Sequence, residues 1–247
     1  MVLTALRGAV GFLTTLPVSV DDDAWEAFRR HPGVLPFVGY PIGGLVALPV
    51  LVASSAPLGG FGFVLAIFVV TGINHFDGLT DFADGLAVHG AESERVDAMR
   101  DSALGVGGLL AGGIVLLGLF VAGQSVAAAA RGAVALIVTA EVAAKLAMLI
   151  VLSRGTPRHD GLGSALAEFA TTRSLLAGVA LSMSAAVLTW PSPVGILTLA
   201  TGPVVAMSMG RVARRRLGGI SGDVLGATNE IARLAALLVG VIGWTHW

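Results

Sequence analysis

Apolar runs alternate with short polar segments along almost the whole chain, and many of the runs are of membrane-spanning length. A helix through a bilayer takes about 20 apolar residues, within roughly 17 to 25. Residues 1–16, 34–57, 60–76, 104–123, 132–152, 174–190, 194–210 and 231–245 are the candidate spans, the first of them short. The pattern predicts an all-α, polytopic transmembrane helix bundle of roughly seven to eight membrane helices, in a single domain over residues 1–247. Glycine recurs inside the runs, as at Gly107, Gly108, Gly112 and Gly113. Small residues let helices pack closely in lipid, where apolar side chains gain little by leaving the hydrocarbon. Residues 1–16 hold Arg7 and then an apolar stretch, but Pro17 follows with no small-x-small cleavage pattern. They read as the first membrane helix or as one lying at the interface.

The polar segments sort by charge. Segments 17–33, 77–103, 153–173 and 211–230 carry Arg29 and Arg30, Arg95 and Arg100, Arg154, Arg158 and Arg173, then Arg211 and Arg214 to Arg216. Connections 57–60 and 190–193 have no charge, and 124–131 has only Arg131. Positive-inside bias places the charged set in the cytoplasm. Of sixteen acids, all but Glu141 lie in those four segments or at their edges. One membrane face is therefore expected to hold the chemistry, in a multi-pass protein of the cell membrane.

Acid is densest in residues 74–102, with five aspartates. On a helix, Asp77, Asp81 and Asp84 stand at i, i+4 and i+7 and share one face, with Asn74 on the same stripe. Asp97 and Asp101 repeat the i, i+4 spacing after a turn at His89-Gly90. Carboxylates stacked a turn apart repel one another, more strongly when desolvated, so a cation is expected among them. Oxygen donors with no cysteine nearby suit a hard divalent ion, Mg²⁺ or Mn²⁺. Gly78 and Gly85 weaken a merely solvated helix by about 1 kcal/mol each, but let phosphate or another backbone come close. His75 falls off the stripe.

Composition sharpens the class. With 55% hydrophobic and 13% charged residues and a mean hydropathy of +0.86, the chain is an integral membrane protein; a soluble domain carries about 25% charged residues. It has no cysteine, which excludes disulfides and thiolate metal sites. Nothing resembles a nucleic-acid module.

Other polar features carry two readings each. Glu141 and Lys145, at i, i+4, are the acid and the lysine inside a span; they read as a functional pair or as mutual neutralisation at a buried seam. Arg211 with Arg214 to Arg216 reads as a membrane anchor or as a holder of anionic substrate. The turn Thr156-Pro157-Arg158-His159-Asp160-Gly161-Leu162-Gly163 offers a guanidinium for bidentate phosphate contact, or is a solvated loop. In the glycine-rich stretch 218–230, Asp223 and Glu230 at i, i+7 share a helix face. His31-Pro32 reads as a helix entry.

Taken together the motifs resemble the cobalamin synthases, also called adenosylcobinamide-GDP ribazoletransferases. Phe12-Leu13-Thr14-Thr15-Leu16-Pro17 is similar to that family's N-terminal Phe-x-Thr-x-Leu-Pro. Phe37-Val38-Gly39-Tyr40-Pro41-Ile42-Gly43 resembles its Pro-x-x-Gly-x-x-x-Gly segment. His75-Phe76-Asp77-Gly78-Leu79-Thr80-Asp81-Phe82-Ala83-Asp84-Gly85 resembles its His-x-Asp-Gly-x-x-Asp-x-x-Asp-Gly signature. Met99-Arg100-Asp101-Ser102, Gly161-Leu162-Gly163 and Gly222-Asp223-Val224-Leu225-Gly226-Ala227 resemble further family motifs. Two departures stand out. Ala103 occupies a commonly basic position, and two residues separate Arg158 from Gly161.

The resemblance implies a membrane enzyme of late nucleotide-loop assembly in vitamin B12 synthesis. It would join adenosylcobinamide-GDP to α-ribazole or its 5′-phosphate, release GMP and use Mg²⁺. It implies Asp77, Asp81 and Asp84 as metal ligands, with Asp101 as a further ligand or the base, and Asp97 and Asp223 next. Arg100 and Arg158 would steady phosphate oxygens; Asn74, Ser102 and Glu230 complete the expected substrate contacts. Self-association or association with other enzymes of the corrinoid pathway is a further expectation. Two rivals remain. Asp81-Phe82-Ala83-Asp84-Gly85 and Asp97-x-x-x-Asp101 echo the CDP-alcohol phosphotransferases, although Val88-His89 stands where that class has Ala-Arg. A transporter would place its polar residues near mid-bilayer, whereas these acids gather at one face.

Overall fold

The architecture is known from a computed structural model, which describes residues 1–129, 131–159 and 161–246. Twelve α-helices are found among these residues, and no strand beyond one isolated bridge. In chain order they are α1 (Val2–Leu13), α2 (Asp22–Arg30), α3 (Leu35–Val52), α4 (Ala56–Thr71), α5 (Asn74–Ala87), α6 (Glu92–Arg100), α7 (Val106–Ala128), α8 (Ala135–Arg154), α9 (Leu162–Ala167), α10 (Thr172–Met183), α11 (Val194–Arg216) and α12 (Gly222–Trp244).

The all-α membrane bundle is as the hydropathy predicts, but the spans are fewer. Five helices are long and apolar enough to cross a membrane: Pro32–Val52, Val106–Ala128, Arg131–Arg154, Val194–Arg216 and Gly222–Trp244. The bent pair α4 and α5 would make a sixth. The seven-to-eight estimate included 1–16 and 174–190, which form only short apolar helices. Thr14 turns extended and ends α1 after 12 residues, and α10 gives way to a 3₁₀ turn at Ser184–Val187. Conversely, α12 starts nine residues before the predicted 231. Ser221 caps it by accepting from the Val224 N–H, and Asp223 complements the positive end of the helix dipole. The polar segment 17–33 holds α2. Asp21 caps that helix by accepting from the Ala24 N–H at 2.8 Å, and Arg29 and Arg30 sit at its negative end.

Helix α8 is the axis, buried along most of its length between α3, α11 and α12. Glycines allow that approach. A Cβ on Gly39 or Gly43 of α3 would stand 2.7 or 2.6 Å from the Cα of Val142 or Val138, and one on Gly202 of α11 2.5 Å from the Ala143 carbonyl oxygen. Helix α7 forms a second centre with α4, α5 and α12. The short α1–α2 hairpin is closed by Phe12, Trp25 and Phe28, whose ring centroids lie 5.2 to 6.0 Å apart, and its α1 meets α3.

Glu141 and Lys145 prove to be half of a larger buried cluster. Arg233 of α12 donates from Nε to Glu141 and from Nη1 to Glu230. Lys145 Nζ lies 3.4 Å from Glu141 Oε2 and donates to Asn229 Oδ1 at 2.6 Å, and Asn229 donates to Glu230 at 2.9 Å. Two acids and two cations cancel, so the seam reading holds. Glu230, expected at the substrate, lies in this network instead, 2% exposed. It stands about two turns past Asp223, where an unpaired carboxylate would be costly and the Arg233 guanidinium is its counterion.

Candidate functional site

Placement of the aspartates begins at Gly72. Its φ of +67° ends α4 in a conformation that favours glycine, and α5 leaves at 99°. Thr15 fixes the corner: its N–H donates to the Val70 carbonyl at 2.8 Å and its hydroxyl to the Val69 carbonyl. So turned, α5 runs across the first turns of α12 and α7. At the α12 crossing a Cβ on Gly78 would lie 2.9 Å from Asp223 Cα, and one on Gly226 2.8 Å from the His75 carbonyl oxygen. Two glycines thus bring α5 and α12 backbone to backbone, which sets Asp77 and Asp81 beside Asp223.

Asp81 is pushed up to about 6, first by burial and then by the charges of Asp77, Asp223 and Asp84. The four carboxylates therefore form one electrostatic group. Asp223 also accepts from Ser221 Oγ at 3.2 Å and feels the charges of His159 and Arg100. Since Asp81 holds its proton to higher pH folded than unfolded, it favours the folded state below pH 4, and this is lost as pH rises from about 4 to 6. Glu26, held down to about 2 by Arg29 and Arg30, acts oppositely and only below about 4.5. In metal-free buffer, the melting temperature is expected to fall between pH 4 and 6.5, and Asp81→Asn to flatten that slope; an unchanged slope in the variant would place the titration elsewhere.

Asp84 has a further duty. Its two oxygens accept from the Gly105 and Gly108 N–H groups at 2.8 Å each, capping α7. Asp101 is not on the α6 stripe that its spacing implied. It terminates α6 in an extended conformation and accepts from the Ala103 N–H at 3.0 Å, and it shares a cavity of about 310 Å³ with Asp84. Asp97 and Ser102 are exposed. Arg100 is exposed at the end of α6. Arg158 is steadied by a parallel bridge: its N–H donates to the Ile220 carbonyl at 3.1 Å and the Ile220 N–H to the Thr156 carbonyl at 2.9 Å. Its Nε lies 3.9 Å from Glu92. Asp160 lies outside the described residues.

Beside the carboxylates opens a cavity of about 400 Å³. Its polar wall is Asn74, His75, Asp77 and Asp223; Phe12, Leu35, Met148, Leu152 and Leu166 form much of its apolar wall. His75, off the aspartate stripe, reaches it because the cavity wraps around the start of α5. Its Nδ1 is buried with no hydrogen-bond partner among the described residues.

Among the described residues no three His, Asp or Glu side chains converge closely enough to hold a metal ion as they stand. The donor chemistry does fit a hard divalent cation: all-oxygen ligands whose mutual repulsion a positive ion would relieve.

Residues 5–241 match the family model described as cobalamin-5-phosphate synthase. Curated relatives named adenosylcobinamide-GDP ribazoletransferase include that of Halorubrum lacusprofundi, 48% identical over 257 residues and the full length of both chains. Those of Haloquadratum walsbyi and Methanocella arvoryzae are 42% and 34% identical, covering 99% of this chain and 99% and 97% of theirs. No solved structure matches.

Proposed function

The chain belongs to the cobalamin-5-phosphate synthase family, and on that premise we propose that it is an adenosylcobinamide-GDP ribazoletransferase, a transferase of substituted phosphate groups. Neither a CDP-alcohol phosphotransferase nor a transporter is favoured. In the reaction a hydroxyl oxygen of α-ribazole, or of its 5′-phosphate, bonds to the corrinoid-side phosphorus of adenosylcobinamide-GDP. The bridging P–O bond breaks, GMP departs with that oxygen, and the hydroxyl proton passes to a base.

The observation that carries this reading is the placement of Asp77 and Asp223 on the polar wall of a cavity whose other wall is apolar, with Asp81 within reach of both charges. Mg²⁺ held there would neutralise charge on the diphosphate and the leaving GMP. Asp77, Asp81 and Asp223 would hold it, with Asp84 fixing the register of α5 against α7. Asn74 lies on the cavity wall for a polar contact, and Arg100, whose charge Asp223 feels, would meet phosphate oxygens; Arg158 would approach only by leaving Glu92. The apolar wall excludes water from the phosphorus.

Asp101, which shares a cavity with Asp84, would receive the hydroxyl proton, whereas the unpartnered Nδ1 of His75 is buried away from the cavity. Asp101→Asn should lower kcat by about 10²-fold with KM little changed, in line with a lost general base; a loss confined to KM would reassign it to binding. The principal test supplies the purified protein with adenosylcobinamide-GDP, α-ribazole and Mg²⁺ and measures GMP. No GMP, or CMP from a CDP-alcohol instead, would overturn the reading.

The arginine-rich connections favour a cytoplasmic site in the cell membrane. Because the chain has no cysteine, Ser102→Cys provides a single thiol. A membrane-impermeant maleimide should label it in inverted vesicles and not in intact cells; the reverse pattern would invert the topology.

A further inference from the structure

A second polar cavity, of about 750 Å³, lies between the last two turns of α11 and the α5–α6 connection. Its walls bear Ser208, Arg211, Arg215 and Arg216 from α11, His89 from the connection and Arg95 from α6. No carboxylate lines it. Elsewhere the cations of this chain are often answered: Arg7, Arg29, Arg30, Lys145, Arg158 and Arg233 all have acidic partners. Among the described residues none of the four arginines here has one.

A membrane anchor would explain only part of this. Cations at the end of α11 complement the negative end of its dipole, and positive charge at a membrane face is ordinary. Neither accounts for Arg95. It is on a short helix too polar to span, it is 8% exposed, and its hydrogen bond is from Nη1 to the Leu86 carbonyl at 3.3 Å. A guanidinium withdrawn from water without a counterion is unfavourable unless an anion joins it. Arg211 and Arg215, four residues apart, face the same space from the opposite wall. Planar guanidinium forks match phosphate oxygens bidentately, and the volume lies in the usual range for small-molecule sites.

We propose that the cavity between α11 and the α5–α6 connection is a binding site for a phosphate ester, separate from the carboxylate-lined cavity and independent of the reaction assigned to it. The ester is either the phosphodiester headgroup of an anionic lipid or the phosphate of a soluble nucleotide. The site adjoins the cavity of Asp84 and Asp101 through Val88, so its occupant would sit against the end of α5.

The test uses the full chain in neutral detergent with EDTA, which removes metal-dependent binding at the carboxylates. One arm measures GMP by equilibrium dialysis. The other reconstitutes the protein in phosphatidylcholine nanodiscs with or without phosphatidylglycerol and counts retained phosphatidylglycerol by native mass spectrometry. The wild type is expected to bind in one arm, which names the source, and R215Q and R95Q to weaken that binding about tenfold or more, as for loss of a charged partner. R214Q removes equal charge from the same turn but does not line this cavity, and should leave binding within about twofold, as for a screened surface charge. Should R95Q fail to fold, the contrast of R215Q with R214Q decides alone. Equal losses in those two, or no binding by the wild type in either arm, would overturn the proposal.

Discussion

Purified Asp81→Asn protein is expected to release GMP about 10²–10³-fold more slowly than the wild type, the loss seen when one group that stabilises developing charge is removed. Asp81 sits centrally among the carboxylates, perturbed by Asp77, Asp223 and Asp84 together. Asparagine keeps its shape and removes its charge, so the position most needed to hold a cation becomes neutral. Stability should move the other way. Without metal the wild type confines a repelled carboxylate at neutral pH, and the amide relieves that repulsion, so the variant should melt no lower than the wild type. Lost turnover with retained melting temperature separates a functional carboxylate from a structural one. Wild-type turnover in folded Asp81→Asn protein would remove Asp81 from the site.

The second large effect is expected at the α8–α12 seam. Glu141→Leu leaves Lys145 and Arg233 facing one remaining carboxylate in a region 0–2% exposed. Breaking a buried ion network by deleting one partner typically costs about 3–5 kcal/mol, equivalent to about 10 °C or more in melting temperature for a chain of this size. The control is Glu141→Leu with Lys145→Leu, which restores neutrality by leaving Arg233 to Glu230. If uncompensated charge is the cause, the double variant is more stable than Glu141→Leu alone, a non-additivity expected of residues in one network. A double variant no more stable than the single would point to lost packing instead.

Local pattern made the helical class, the membrane setting and the aspartate stripe legible. The i, i+4, i+7 spacing of Asp77, Asp81 and Asp84 is a property of one helix, and α5 begins at Asn74 as the stripe requires. What escaped were relations between distant segments. Nothing near Glu141 announces Arg233, 92 residues on, and nothing near Asp84 announces that the Gly105 and Gly108 N–H groups bind its oxygens. The meeting of Asp223 with Asp81 depends on Gly78 and Gly226 facing each other, which no single-segment periodicity encodes. The span count failed for a related reason. Hydropathy accumulates across Gly72 and Thr14 without sensing that the backbone turns there. Asp101 was misplaced by one residue of helix: α6 stops at Arg100, and the side chain beyond it leaves the stripe.

The bend at Gly72 also sets how far the aspartate-bearing segment can stray. Helices α4 and α7 lie together in the bilayer, while α5 is tied at one end to that corner through Thr15 and at the other to the start of α7 through Asp84. A segment clasped at both ends can tilt like a beam on two supports but cannot swing open like a flap. Phe12 and Leu13 of α1 line the same cavity, and Thr15, two residues on, pins that stretch to the same corner, so both walls hang from one nail and a change at Gly72 would be felt by each.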